Sequence, residues 1–209
     1  TANHGGVTEN FRNWFVVVSD TPFETQTVDG HIAMVGFKTV KGQKVNLRVA
    51  SSFISREQAE LNLNELSGRS FDEIAQAGRA RWNEVLGRIA VEDDNLDNLR
   101  TFYSCLYRSV LFPRDLSEIN ADGERVHYSP YDGAVHKGYL FADTGFWDTF
   151  RCLFPLLNLV YPDESVKMQE GLVNTWKESG FLPEWSSPGH RGCMVGNNSA
   201  SVVADAWIK

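Results

Sequence analysis

Between residues 44 and 53 polar and apolar side chains alternate. Val45, Leu47 and Val49 fall on one side and Lys44, Asn46 and Arg48 on the other, the two-residue period of a half-buried strand. Phe11 to Val18 and His31 to Lys38 are β-branched and aromatic runs of the same kind. Turn residues separate the three, at Asp20-Thr21-Pro22, Asp29-Gly30 and Lys41-Gly42, which predicts an antiparallel sheet at the edge of a β-sandwich. At Ser55 the period becomes helical. Ser55 with Gln58 and Ser70 with Glu73 have the spacing of capping boxes. The second opens a helix over 71–89 with Phe71, Ile74, Ala75, Trp82, Val85, Leu86 and Ile89 on one stripe. After Asp93-Asp94-Asn95 a further helix over 95–112 aligns Leu96, Leu99, Tyr103, Leu106 and Val110. Both read as plain packing helices that need a partner surface. Residues 113 to 143 hold the turn signals Asn120-Ala121-Asp122-Gly123 and Tyr131-Asp132-Gly133 and predict an irregular connection with short hairpins, of a length that is usually functional or a lid. Helices are expected near 144–161, 163–179 and 198–209, with Pro155 bending the first. The chain has no internal sequence repeat, yet helix after helix joined by loops is what a toroid of helical hairpins shows.

Composition adds exclusions. The 209 residues are 42% hydrophobic and 22% charged, with a formal net charge of -7, which argues against nucleic acid or an anionic membrane surface as partner, since either would need a basic patch. Apolar runs such as Phe15 to Val18 and Leu153 to Val160 are too short for a membrane span. Cys105, Cys152 and Cys193 lack metal-ligand spacing and read as buried free thiols. His127, His136 and His190 show no mutual spacing for a metal and read as loop residues. The opening Thr1-Ala2-Asn3-His4-Gly5-Gly6 has neither the charged nor the apolar region of a targeting signal, so such a signal is expected to be absent or already removed. It also begins as though mid-domain, as a piece of something larger would.

The segment Phe146-Trp147-Asp148-Thr149-Phe150-Arg151 concentrates the candidate chemistry. Asp143 or Thr144 can cap a helix here, Asp148 lies in its first turn, and Arg151 is one turn on, within reach for an i,i+3 pair. Such an Asp can be a plain dipole-stabilised surface carboxylate. It also suits a sugar, because a carboxylate accepts from paired hydroxyls and an indole covers a C–H face. The pairing recurs at Glu184-Trp185. Asp205, among the apolar residues of 202–207, reads as a buried hydrogen-bonding group that fixes adjacent helices.

The strings Trp147-Asp148-Thr149, Gly180-Phe181-Leu182-Pro183-Glu184-Trp185, Cys193-Met194-Val195-Gly196-Asn197 and Ala204-Asp205-Ala206-Trp207, in this order and spacing, resemble the start of the catalytic domain of glycoside hydrolase family 92. Those are calcium-dependent, exo-acting α-mannosidases. The resemblance extends back through Phe102-Tyr103, Ala80-Arg81-Trp82-Asn83 and Val49 to Ser55, nearly the whole chain. It implies an α+β protein, an antiparallel β-sandwich portion followed by helices that begin an (α/α)6 barrel. Residues 1–54 would end the sandwich domain, 55–112 would be linker helices and 113–209 the truncated start of the barrel. It implies release of terminal α-linked mannose with inversion, assisted by calcium, on mannose-containing glycans. The general acid, base and calcium ligands are expected beyond Lys209, in the remainder of the same polypeptide, so no catalytic or metal residue is assigned to this chain. Trp147 and Asp148 are expected in the terminal-sugar pocket with Arg151 supporting Asp148. Trp185, Asn197 and Asn198 are further substrate-binding candidates, although relatives often carry a histidine where Asn198 stands. Glu184 varies among relatives and reads as a specificity or surface residue. Such an enzyme meets its glycans in a secreted or periplasmic setting. Asn197-Asn198-Ser199 also matches the glycosylation acceptor pattern and, within a pocket, is expected to stay unmodified. The chain by itself is expected to be inactive and only marginally soluble. Two other readings remain open at this stage, a non-catalytic carbohydrate-binding or interaction module and a barrel glycosidase acting on glucosides.

Overall fold

The computed structural model describes residues 11–209; the Thr1 to Gly6 run, discussed above for targeting, lies outside them. The chain forms two compact units, which among the described residues are 12–76 and Phe11 with 77–209.

The first unit contains β1 (Trp14–Ser19), β2 (Thr25–Asp29), β3 (Ile32–Gly36), β4 (Leu47–Ser52), α1 (Arg56–Asn62) with a 3-10 turn after it, and the first residues of α2 (Phe71–Leu86). β1 pairs antiparallel with β4, Trp14 opposite Ser52 and Ser19 opposite Leu47, and β2 pairs with β3. Asp20 fastens the β1–β4 end, its carboxylate accepting from the Asn46 N–H at 3.0 Å and from Asn46 Nδ2 at 2.6 Å. β2 has no counterpart in the predicted elements. Its one strong apolar residue is Val28, and the strand exists because Gly30, at φ +55, closes a two-residue turn onto β3. The face expected to be half buried is open instead, with Leu47 55% and Val49 57% exposed, since a two-stranded pair has nothing to cover it. Burial is confined to where α1 lies on β1 and β4, at Ser52, Gln58 and Ala59. Ser55 caps α1 by accepting from the Gln58 N–H. Ser70 and Glu73 form the full capping box, each side chain accepting from the other's N–H.

The second unit continues along α2 to α3 (Leu96–Ser109), capped by Asn95. The connection after it is built from β5 (Arg114–Asp115), β6 (Ser117–Ile119), β7 (Arg125–Tyr128), β8 (Val135–Lys137) and β9 (Phe141–Ala142), the expected short hairpins: β6, β7 and β8 make a meander and β5 pairs with β9. β10 (Thr144–Gly145) and β11 (Trp185–Ser186) make a last two-residue ribbon. Between and after them come α4 (Phe146–Thr149), α5 (Leu153–Val160), α6 (Pro162–Ser179) and α7 (Asn198–Ile208). The helix expected over 144–161 is thus two helices, broken rather than bent. Pro155 is the third residue of α5, where its missing N–H costs nothing, while its ring excludes a helical carbonyl at Arg151. α6 runs its predicted course and stops at Gly180, left-handed at φ +81.

Phe146, Phe154, Leu157, Tyr161, Leu172 and Val202 form the core of this unit, the rings of Phe146 and Phe154 stacked at 5.6 Å. Asp205 joins helices as expected, accepting from Asn158 Nδ2 at 2.6 Å. Two expectations are corrected. All three cysteines are exposed, Cys105 on the outer side of α3, Cys152 in the α4–α5 break and Cys193 in the loop before α7. His127 and His136 are strand residues. His127, on β7, is fully buried, with Nδ1 against the Gly138 carbonyl at 2.9 Å and Nε2 against Glu178 Oε1 at 2.8 Å. Sequence spacing could not show this pairing, because Glu178 is 51 residues away on α6.

Candidate carbohydrate site

β10 and β11 bring the two candidate aromatic–acid segments together. Gly145 is opposite Trp185 in the ribbon, the Phe146 N–H donates to the Glu184 carbonyl at 3.1 Å and the Asp143 N–H to Ser186 at 2.7 Å. The single turn of α4 then folds the Asp148 side chain back over Gly145. A β-carbon on Gly145 would stand 2.7 Å from Asp148 Oδ2 and 3.7 Å from Cδ2 of the Trp185 ring. Carboxylate and indole therefore flank one point that only a glycine leaves empty. Glycine at the end of a strand signals close approach, and that was the available clue to a residue not singled out from sequence.

The cap is also different from expectation. Gly145 is the N-cap of α4 and supplies no side chain, Thr144 is in the ribbon, and the Asp143 carboxylate is bound elsewhere, to Arg114 Nη2 at 2.7 Å. Arg151 does not pair with Asp148. Its guanidinium lies 5.1 Å from the Trp147 ring centre and 4.6 Å from that of Phe150, and Nη1 donates to the Trp147 carbonyl at 3.4 Å. With α4 ending at Thr149, the chain turns away before Arg151 can reach back along a helix face, and the cation rests on aromatic faces instead. No hydrogen bond or ion pair engages the Asp148 carboxylate among the described residues. Trp147 beside it is 42% exposed. The outcome is an open acceptor group across Gly145 from the Trp185 indole.

Asn197 and Asn198 stand at the start of α7, which packs on α4. Their amides are used locally. Ser199 Oγ donates to Asn197 Oδ1 at 2.8 Å, and Asn198 Nδ2 donates to the Val195 carbonyl at 2.9 Å. They shape the junction around the left-handed Gly196 at φ +78. Trp185 is held through its carbonyl, which accepts from the Arg191 N–H at 2.9 Å. Glu184 is partly buried and takes part through its backbone. His190 lies beside Tyr131, ring centres 4.8 Å apart, its Nε2 2.8 Å from Ser179 Oγ, and burial lowers its pKa. Among the described residues no group of three or more His, Cys, Asp or Glu side chains could hold a metal ion.

The class is set by comparison with known proteins, which makes this a glycosidase catalytic region. The glycosyl hydrolase family 92 catalytic domain matches residues 58–209, and the chain belongs to that family. The structure of a family 92 inverting mannosidase from Bacteroides thetaiotaomicron superimposes with a TM-score of 0.93 at 44% identity, over 99% of this chain and 30% of that one. A family 92 α-mannosidase from the same organism gives 0.72 at 26% identity, over 91% of this chain and 27% of that one. Its complex with mannoimidazole gives 0.73 at 25% identity, over 95% and 29%. A protein of Arthroderma benhamiae described as an uncharacterized secreted glycosidase is 27% identical over 172 residues, 79% of this chain and 18% of the relative. The chain thus spans under a third of the length of the proteins it matches.

Proposed function

We propose that this chain is part of an exo-acting, inverting α-mannosidase and supplies one wall of the pocket for a terminal mannose. The observation that carries this reading is the unpaired Asp148 carboxylate, folded over Gly145 opposite the Trp185 ring and next in sequence to the exposed Trp147, in a chain of family 92. A mannose hydroxyl pair donates to the two carboxylate oxygens, and an indole covers the apolar C–H face of the ring. Inversion needs an acid on the leaving oxygen and a base for water, with their carboxyl groups about 6.5–9.5 Å apart. We assign neither to this chain. Its own residues bind and orient. Calcium would help to hold and polarise sugar hydroxyls, and its ligands are proposed to lie in the remainder of the polypeptide. The sandwich portion at 1–54, the linker helices at 55–112 and a barrel starting at 113 are proposed on the same basis. The secreted relative supports a secreted or periplasmic location, and among the described residues no helix is long and apolar enough to cross a membrane.

Asp148→Asn in the full-length enzyme tests the reading. It keeps the shape and removes a charge-assisted acceptor, at a cost of about 1.5–3 kcal/mol in the transition state, roughly a ten- to hundredfold fall in kcat/KM on an aryl α-mannoside. Unchanged kinetics with a slightly lowered melting temperature would identify a helix-end carboxylate and sink the assignment. Faster cleavage of aryl glucosides than mannosides would sink the substrate class.

A further inference from the structure

Asp143 is the one non-glycine residue with positive φ among the described residues, at +65. A residue with a β-carbon stays in the left-handed region only where its surroundings hold it. Three contacts do so here: its N–H donates to Ser186 at 2.7 Å, Oδ2 accepts from Arg114 Nη2 at 2.7 Å, and Oδ1 accepts from Ser187 Oγ at 3.5 Å. Arg114 is itself fixed opposite Ala142 in the β5–β9 pair. The contacts therefore tie the preceding connection to both strands of the ribbon, one residue before Thr144-Gly145 and one after Trp185-Ser186. We propose that the Asp143–Arg114 ion pair is a positioning clamp for the pocket wall. It sets the angle at which the chain leaves β9, and through the ribbon it fixes Asp148 against Trp185. This rests on the pocket reading above.

The test uses the full-length enzyme and an aryl α-mannoside. Asp143→Asn retains a side chain that tolerates the left-handed backbone but loses the charge, and Arg114→Met loses the cation. Each is expected to lower kcat/KM about tenfold, with Arg114→Lys recovering part of it, and the double variant is expected to fall no further than either single one. In an Asp148→Asn background Asp143→Asn should have little further effect, because the clamp acts through that carboxylate. Melting curves are expected to move little. Wild-type kcat/KM in Asp143→Asn and Arg114→Met, beside a clear loss in Asp148→Asn, would overturn the clamp and leave the pocket standing. An undiminished effect of Asp143→Asn in the Asp148→Asn background would overturn it as well. A silent Asp148→Asn would remove the pocket reading itself.

Discussion

The two units earn their order differently. In residues 12–76 the register is set by main-chain pairing, by Gly30 and by Asp20 on Asn46, while most apolar side chains of β1 to β4 remain open. In residues 77–209 the strands are short, two of the ribbons only two residues a strand, yet the helices α4 to α7 bury one continuous cluster from Phe146 to Val202. Strand length and burial thus part company in this molecule, and the candidate site is on the side with the short strands and the helical core. A binding wall needs fixed side chains more than long strands, and buried packing fixes them.

That contrast can be broken by substitution. Phe154 is 1% exposed, and Phe154→Ala is expected to cost about 3–5 kcal/mol. Val49→Ala, in β4, should cost under ~1 kcal/mol. Urea melts of the two variants compare the units directly, and equal losses would erase the distinction. The next largest effect is expected at His127. Burial alone would lower its pKa, but the Glu178 hydrogen bond, the Gly138 carbonyl and the Glu178 charge, with Asp115 nearby, outweigh it and raise it. A raised histidine stabilises the fold fully below its unfolded value of about 6.5 and loses that contribution as pH rises through the folded value. The double variant His127→Leu, Glu178→Gln removes the histidine without leaving a buried carboxylate unpaired, at a cost of about 1–3 kcal/mol, so the gap between its melting curve and the wild type should be wide at pH 6 and narrower at pH 9. A gap that widens with pH would reverse the sign. The smallest effect on stability, and the sharpest on the site, belongs to Gly145→Ala. Its φ of -97 suits any residue, and the atom displaced is the far end of the Asp148 side chain. About a tenfold fall in kcat/KM is expected, roughly 1.4 kcal/mol, with the melting temperature nearly unchanged; a fall in melting temperature with full activity would contradict it.

Much of the helical part was legible because stripes, capping boxes and a closing glycine are local signals: α6, α7 and the Ser70–Glu73 box are where the pattern puts them. Trp147, Asp148 and Trp185 could be named because an acid beside an indole is also a local signal. Their convergence could not, since Gly145 meets Trp185 across 40 residues through a ribbon with no sequence period. Arg151 was assigned to Asp148 by helical spacing, and the spacing failed because Pro155 ends the helix geometry upstream of itself. His127 was hidden for the same reason as the ribbon: its partner is distant in sequence, and burial gives no sign in a single residue.

Ser199 has one more implication. The acceptor triplet Asn197-Asn198-Ser199 is read by an enzyme that needs the serine hydroxyl together with the first amide. In the folded chain that serine is 0% exposed and its hydroxyl is already committed to Asn197 Oδ1. Attachment of a glycan is therefore a race with synthesis: the triplet is open while the nascent chain is still unpacked and shut once α7 winds. A host that glycosylates during translocation and one that exports a folded chain would deliver different molecules from the same sequence.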